Sequence, residues 1–292
     1  MSETVKLNPI AEKVYRKLDR RLLPFLMILY IVAYIDRVNI GFAKLTMSEQ
    51  LRFSDTVYGF GAGIFFIGYF LFEIPSNLIM QRVGARLWIA RIMIFWGILS
   101  ASTIFVTTPM QFYTVRFLLG LGEAGFFPGI ILYLTYWYPG ERRVKSVAAF
   151  MTAVALSGAI GSPMSGFIMT GLDNVATLKG WQWLFLIEAA PAVILGIIVA
   201  LWMDNNPTEA RWLSSEERAW LLEQLQKEAL EKSQLGHIES LTQALFNRKR
   251  RFPACFIKNV FLNFIDYRCS ILARPYLNIN PNGVYCYDES IF

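Results

Sequence analysis

An all-α membrane protein is the fold class this sequence predicts: six membrane-crossing helices built as two inverted three-helix repeats, followed by a cytoplasmic helical linker. Three observations carry that prediction. Of 292 residues, 55% are hydrophobic and only 17% charged, too few polar side chains to cover a soluble globule. The apolar residues come in runs of about twenty, the length a helix needs to cross a hydrocarbon core about 30 Å thick. Lys and Arg gather in short segments between alternate runs, which is how a bilayer sorts charge. The net charge of +6 belongs to those segments and requires no nucleic acid.

Residues 1–21 form a basic amino-terminal segment holding Lys13, Arg16, Lys17, Arg20 and Arg21. It has no short apolar core with a small-residue cleavage site, so the first span itself directs insertion. The six spans fall at 22–45, 57–80, 87–106, 111–136, 147–170 and 183–203, and the bundle occupies 22–203. Arg82 and Arg86 follow span two, and Arg142, Arg143 and Lys145 follow span four. These lie on the same side as the amino terminus, which the positive-inside rule makes cytoplasmic.

Residues 204–249 read as a cytoplasmic linker. Pro207 opens one short helix there, and Ser214 with Glu217, at capping-box spacing, opens a second through Trp220, Leu222 and Leu225. In the tail, 250–292, Lys258, Asn259, Asp266 and Arg268 interrupt the apolar character, and no seventh span is expected. Cys255, Cys269 and Cys286 all lie in this tail, odd in number and without metal-ligand spacing, so no disulfide framework, metal or cofactor is expected.

Spans one to three resemble spans four to six. One and four each carry an acid and an arginine; two and five each combine glycines with a late proline, Pro75 and Pro163. Carriers assembled from inverted repeats show this kind of internal symmetry.

Chemistry concentrates at YIVAYIDRVNIGF, where Asp36 and Arg37 interrupt span one, each costing roughly 2.5 to 3.5 kcal/mol in hydrocarbon. At about 1.5 Å per residue the pair lies roughly 21 to 22 Å from the cytoplasmic boundary, and Arg116 about 8 Å below the outer one, nearly the same level. Glu123 is two turns beyond Arg116 on the same face, about 10 Å nearer the cytoplasm. Arginine keeps its charge and grips carboxylates bidentately, so Arg37 and Arg116 read as a clamp for an anionic substrate. Asp36 and Glu123, pulled one way by desolvation and the other by arginine, read as proton carriers. Tyr34 and Asn39, with Tyr30, lie within two turns and can line the same cavity. A purely structural ion pair is the competing reading for Asp36 and Glu123.

Elsewhere, Glu73 reads as structural and Glu188 in span six is open to either role. Arg91 and Lys44 can snorkel, and His237 is solvated. Gly125 and Gly129 in span four, and Gly158, Ser162 and Gly166 in span five, place small residues four apart for close helix packing. Gly161 and Pro163 can also bend span five.

YIDRVNIGFA, GAGIFFIGYFLFEIPSNLI, RVGARLWIAR, RFLLGLGEAGFFPGIILYL and WQWLFLIEAAPA, in this order and spacing, resemble the anion:cation symporter branch of the major facilitator superfamily, in particular its bacterial tartrate transporter-like members. The resemblance runs from about residue 15 to about residue 249. It implies the amino-terminal half of a major facilitator fold in a bacterial inner membrane, carrying small organic anions such as tartrate or sugar acids by proton symport and alternating access. It further implies Arg37 and Arg116 as substrate-coordinating arginines, with Asp36 and Glu123 as protonatable carboxyls.

Arg82, Gly84 and Arg86 match the superfamily's gating loop, in which Asn77, Gln81 and Ala85 replace the usual glycine, aspartate and arginine. Members have twelve spans, so residues 250–292 read as a frameshifted or truncated tail, and the chain as a half carrier that is inactive alone or pairs with another half.

An intramembrane protease is the disfavoured alternative. The only histidine is outside the spans, and the spans hold a single aspartate, Asp36.

Overall fold

The computed structural model describes residues 9–234. The chain divides into a unit ending at Leu230 and a second, Glu231–Phe292, of which only the last turn of one helix is described. The expectations for residues 250–292 lie outside the described residues. Eight α-helices follow in order: α1 (Pro9–Leu51), α2 (Asp55–Val83), α3 (Ala85–Ser102), α4 (Pro109–Glu123), α5 (Phe126–Trp137), α6 (Gly140–Gly171), α7 (Gly180–Trp202) and α8 (Ser215–Gln234). The described residues form an all-helical bundle, and six stretches are long and apolar enough to cross a membrane, with α4 and α5 together making the fourth.

Each helix starts and stops for local reasons. Ser54 caps α2 by accepting from the Val57 amide, and Thr108 with Gln111 forms a capping box on α4. The expected capping box at Ser214 is present: the Glu217 amide donates to Ser214 Oγ and the Ser214 amide to Glu217 Oε2, opening α8. The short helix expected at Pro207 does not form. Asn206 and Pro207 carbonyls accept from Glu209 and Ala210, and the segment closes as turns.

The amino-terminal segment is not separate from span one. At 43 residues α1 runs straight through the expected boundary, a length of about 65 Å, twice the hydrocarbon core.

Packing reproduces the repeat symmetry. The most extensive helix pairings are α3 with α7, α2 with α4, and α1 with α6. Exchanging spans one and four, two and five, three and six turns the second pairing into the third and leaves the first unchanged. At the α2–α4 crossing, a Cβ on Gly68 would lie 2.5 Å from the Phe117 carbonyl oxygen, and one on Gly120 would collide with the Phe65 carbonyl. Only glycine lets the two backbones approach this closely.

The interior consists of two apolar clusters. One, with Leu18, Leu26, Ala33, Trp96, Leu119, Tyr133, Trp137 and Phe150, fills the half of the bundle nearer α8. The other, with Ile40, Met47, Phe53, Phe112, Trp181 and Phe185, fills the opposite half. On α1, α4 and α7 alike the switch between clusters falls on charged residues: Asp36 and Arg37, Arg116, and Glu188. A charged stratum therefore lies between two greasy halves.

Candidate functional site

Neighbouring residues on α1 point their charges in different directions, because each residue turns the helix by about 100°. Asp36 is 2% exposed and faces α3, accepting from Trp96 Nε1 at 2.9 Å, Ser100 Oγ at 2.5 Å and Asn39 Nδ2 at 3.2 Å. Arg37 faces α2 and α4. Its Nε donates to Glu123 Oε1 at 3.0 Å, its second nitrogen makes an ion pair with the same oxygen, and its guanidinium stands 5.1 Å from the Tyr69 ring centre. The Arg37 side chain keeps 25% of its surface exposed, against 3% for Glu123. The stratum thus has one open member.

Arg116 is buried at 3% exposure. Its guanidinium lies 4.7 Å above the Phe65 ring, it is attracted by Asp36 and Glu123, and its Nε lacks a partner among the described residues. Of the expected clamp, the structure places Arg37 at the open face and Arg116 behind it. Tyr34, half-buried, is three residues before Arg37 on the same face and packs near Tyr30, with ring centres 6.2 Å apart. Tyr30 in turn meets Phe127 and Phe150. Asn39 is fully buried and turns away from Arg37, toward Asp36 and α7.

Directly after Glu123 the fourth span breaks. Ala124 leaves the helix, Gly125 adopts φ 85°, and α5 restarts at Phe126 with Pro128 in its first turn. A side chain at Gly125 would be strained and would run into Ser76 Oγ. The break places Glu123 at a free helix end instead of mid-helix. Helical periodicity runs 111–136 together as one helix; Pro128 shortly after Gly125 is the signal of the break, since proline belongs in a helix's first turn. Tyr69, Ser100, Trp96 and Ser165, which also hold this stratum together, were not singled out, because nothing in their local spacing marks which face meets a charge. Glu73 sits one turn beyond Tyr69, half-buried and attracted to Arg37.

At the end of the bundle near α8, Gly84 joins α2 to α3 with φ 97°. The Arg86 amide donates to Asn205 Oδ1 at 3.0 Å, and Asn205 donates to Glu209, so the segment after α7 seats the Arg82, Gly84 and Arg86 loop. Arg82 is exposed. On α6, Gly161 packs against Ile35, Pro163 sits inside a continuous helix, and Gly158 and Gly166 face open space.

A second set of charges ties α1, α6 and α8 at that same end. Arg142 pairs with Asp19, Arg143 with Glu228 at 2.8 Å, and Glu217 with Lys17 at 2.7 Å and Lys13 at 3.4 Å. Burial pushes the Glu217 carboxyl up, but hydrogen bonds from Lys17, the Ser214 amide and Lys13 outweigh it and hold it at about 2. Among the described residues no group of His, Cys, Asp and Glu is arranged to hold a metal ion.

A bundle of paired three-helix units with an arginine–carboxylate stratum between its two apolar halves defines a membrane carrier of the inverted-repeat class. Residues 26–272 match the Major Facilitator Superfamily model, and the chain belongs to that superfamily, whose members are transporters and not enzymes. It is 56% identical over 230 residues to the "Putative tartrate transporter" of Agrobacterium vitis, covering 79% of this chain and 53% of that protein. It is 53% identical over 236 residues to the "Putative metabolite transport protein NicT" of Pseudomonas putida, covering 81% and 54%. The chain spans about half the length of these curated relatives. The inward-facing, unoccupied structure of a bacterial homologue of the human lysosomal transporter Spinster shares the fold, with TM-score 0.56 and 21% identity over 68% of this chain and 44% of that one.

Proposed function

We propose that this chain is a proton-coupled carrier of small organic anions, tartrate or a sugar acid among them. The observation that carries the reading is the Arg37–Glu123 pair: a guanidinium between the two apolar halves, open on one side, held by a carboxylate at a helix end. A substrate carboxylate and Glu123 compete for the same planar fork, because a bidentate grip on one uses the donors that hold the other. A proton on Glu123 frees Arg37 for the anion, and its departure expels the anion. Binding of proton and anion are thereby linked at one pair of side chains. Arg116, behind the pair, adds positive potential, and Asp36, with three donors of its own, balances Arg116.

The similarity to a protein called a tartrate transporter supports the anion class. The basic residues at the α8 end support a cytoplasmic amino terminus, and the bacterial relatives support placement in an inner membrane. The decisive measurement is uptake of labelled tartrate and sugar acids into proteoliposomes under an imposed pH gradient. Parent uptake that Arg37→Ala abolishes is expected; equal uptake by both would end the reading.

A second reading, no transport by the chain alone, is favoured by α2 and α6. Gly59, Gly63, Gly158 and Gly166 face open space beside exposed Phe60, Ile67, Leu156 and Phe167. Such faces suit a second six-helix unit. Uptake only when a complementary half is co-reconstituted would select this reading.

A further inference from the structure

Glu188 is a buried acid that the Arg37–Glu123 pair leaves without a task. It lies on α7, 2% exposed, where the two apolar clusters meet. Its surroundings can be taken helix by helix. From α6, Ser165 Oγ donates to Glu188 Oε1 at 2.7 Å. From α1, the Asn39 amide is in contact and the Asp36 carboxylate acts through space. From α3, Trp96 and Ser100 spend their donors on Asp36. Arg116 of α4 is attracted to Asp36 and Glu123. No cation is therefore paired with Glu188 among the described residues.

Two kinds of bookkeeping then agree. Charge is the first. Arg37 is paired with Glu123, and Arg116 is attracted to both Asp36 and Glu123, so an ionised Glu188 would be a third nearly buried acid beside two arginines. An isolated carboxylate there carries a penalty that such groups escape by taking up a proton. Hydrogen bonding is the second. Glu188 Oε2 and Asn39 Oδ1 both lack a partner in hydrogen-bonding geometry among the described residues, although the Asn39 amide lies close enough to Glu188 to favour its ionised form. A buried orphan acceptor is rare and costly. One proton on Glu188 turns one of the two acceptors into a donor, and a turn of the carboxyl or of the amide then satisfies both. The Asn39 amide already donates to Asp36 on its other side.

We propose that Glu188 is a second proton-binding site, distinct from Glu123, at which a carboxylic acid donates to Asn39 and is linked through that amide to the Asp36 carboxylate. Protonation is the addition of one proton to Oε2 from water, with release to water on ionisation. The site deepens the proton-coupled reading, but its existence does not depend on transport.

Infrared difference spectroscopy on the purified full chain in lipid tests it directly. The parent at neutral pH shows a protonated-carboxyl C=O band that shifts in heavy water; the band is absent in Glu188→Gln and retained in Glu123→Gln. A parent without such a band, or one whose band is kept in Glu188→Gln and lost in Asp36→Asn, overturns the assignment. Thermal unfolding gives an independent reading. Glutamine copies the neutral acid by accepting from Ser165 and donating to Asn39, so Glu188→Gln folds with parental stability, whereas a variant that fails to fold shows that the negative charge was needed and overturns the proposal. None of these readouts uses transport, so they can fail while the Arg37–Glu123 carrier reading stands, and the reverse.

Discussion

The stratum between the apolar halves and the seam at the α8 end use the same amino acids to opposite effect. In the seam, Lys17 is 39% and Lys13 67% exposed, so water screens the cations around the buried Glu217 carboxyl. In the stratum, Asp36, Arg116, Glu123 and Glu188 are all nearly sealed. Salt bridges of the first kind are worth little beyond about 1 kcal/mol each, while breaking a pair of the second kind strands a charge in a dry interior. Residue type therefore does not tell a fastening from a working part; what differs is that the lysines around Glu217 face water while Arg116, the counterpart in the stratum, is buried.

That contrast can be broken most severely at Arg116. Arg116→Leu removes a buried cation attracted to both Asp36 and Glu123 without an ion pair to either, and unfolding in detergent should show a loss of about 3 kcal/mol, the lower end for an uncompensated buried charge. If the midpoint does not move, Asp36 is balanced by something other than Arg116. The next effect concerns coupling. Glu123→Gln mimics the protonated acid, so it should bind anion with weakened pH dependence and lose at least tenfold of the accumulation driven by a pH gradient; pH-driven accumulation at parental level would remove Glu123 from the coupling.

Smaller effects belong to the seam. Glu217 sits below its ordinary value of 4.5, at about 2, so its contribution is complete above pH 4.5 and is lost as pH falls toward 2. Glu217→Gln should cost on the order of 1 to 2 kcal/mol at neutral pH, after allowance for the exposure of its lysine partners, and should flatten the acid limb of the stability profile. The smallest effect lies outside the seam, at Lys44–Asp55, 3.0 Å apart with Asp55 90% exposed. Asp55→Asn should leave the unfolding midpoint unchanged.

Much of this was legible beforehand. The six spans follow from hydropathy alone, and helical rise already groups Asp36, Arg37 and Arg116, because lipid imposes a length on every crossing. What spacing does not reveal is which neighbour each face meets. Asp36 and Arg37 are adjacent in sequence, yet one is locked to Trp96 and Ser100 and the other to Glu123, a division set by the packing of α3 and α4 around α1. Asn39 was read as cavity-lining on proximity and lies instead between two acids. The interruption after Glu123 was missed because a helix-period reading carries straight through a residue whose backbone has turned left-handed. Pro207 was read as a helix start, but Asn205 and Asn206 on its amino-terminal side close turns with Glu209 and Thr208.

The crossing of α2 and α4 at Gly68 and Gly120 has a practical consequence. With main chain pressed on main chain and no side chain between, these two helices have no room to slide, so spin labels replacing exposed Phe60 and Met110 should report one fixed separation in every state of the protein. Such a pair is an internal yardstick, against which the travel of any other helix can be measured.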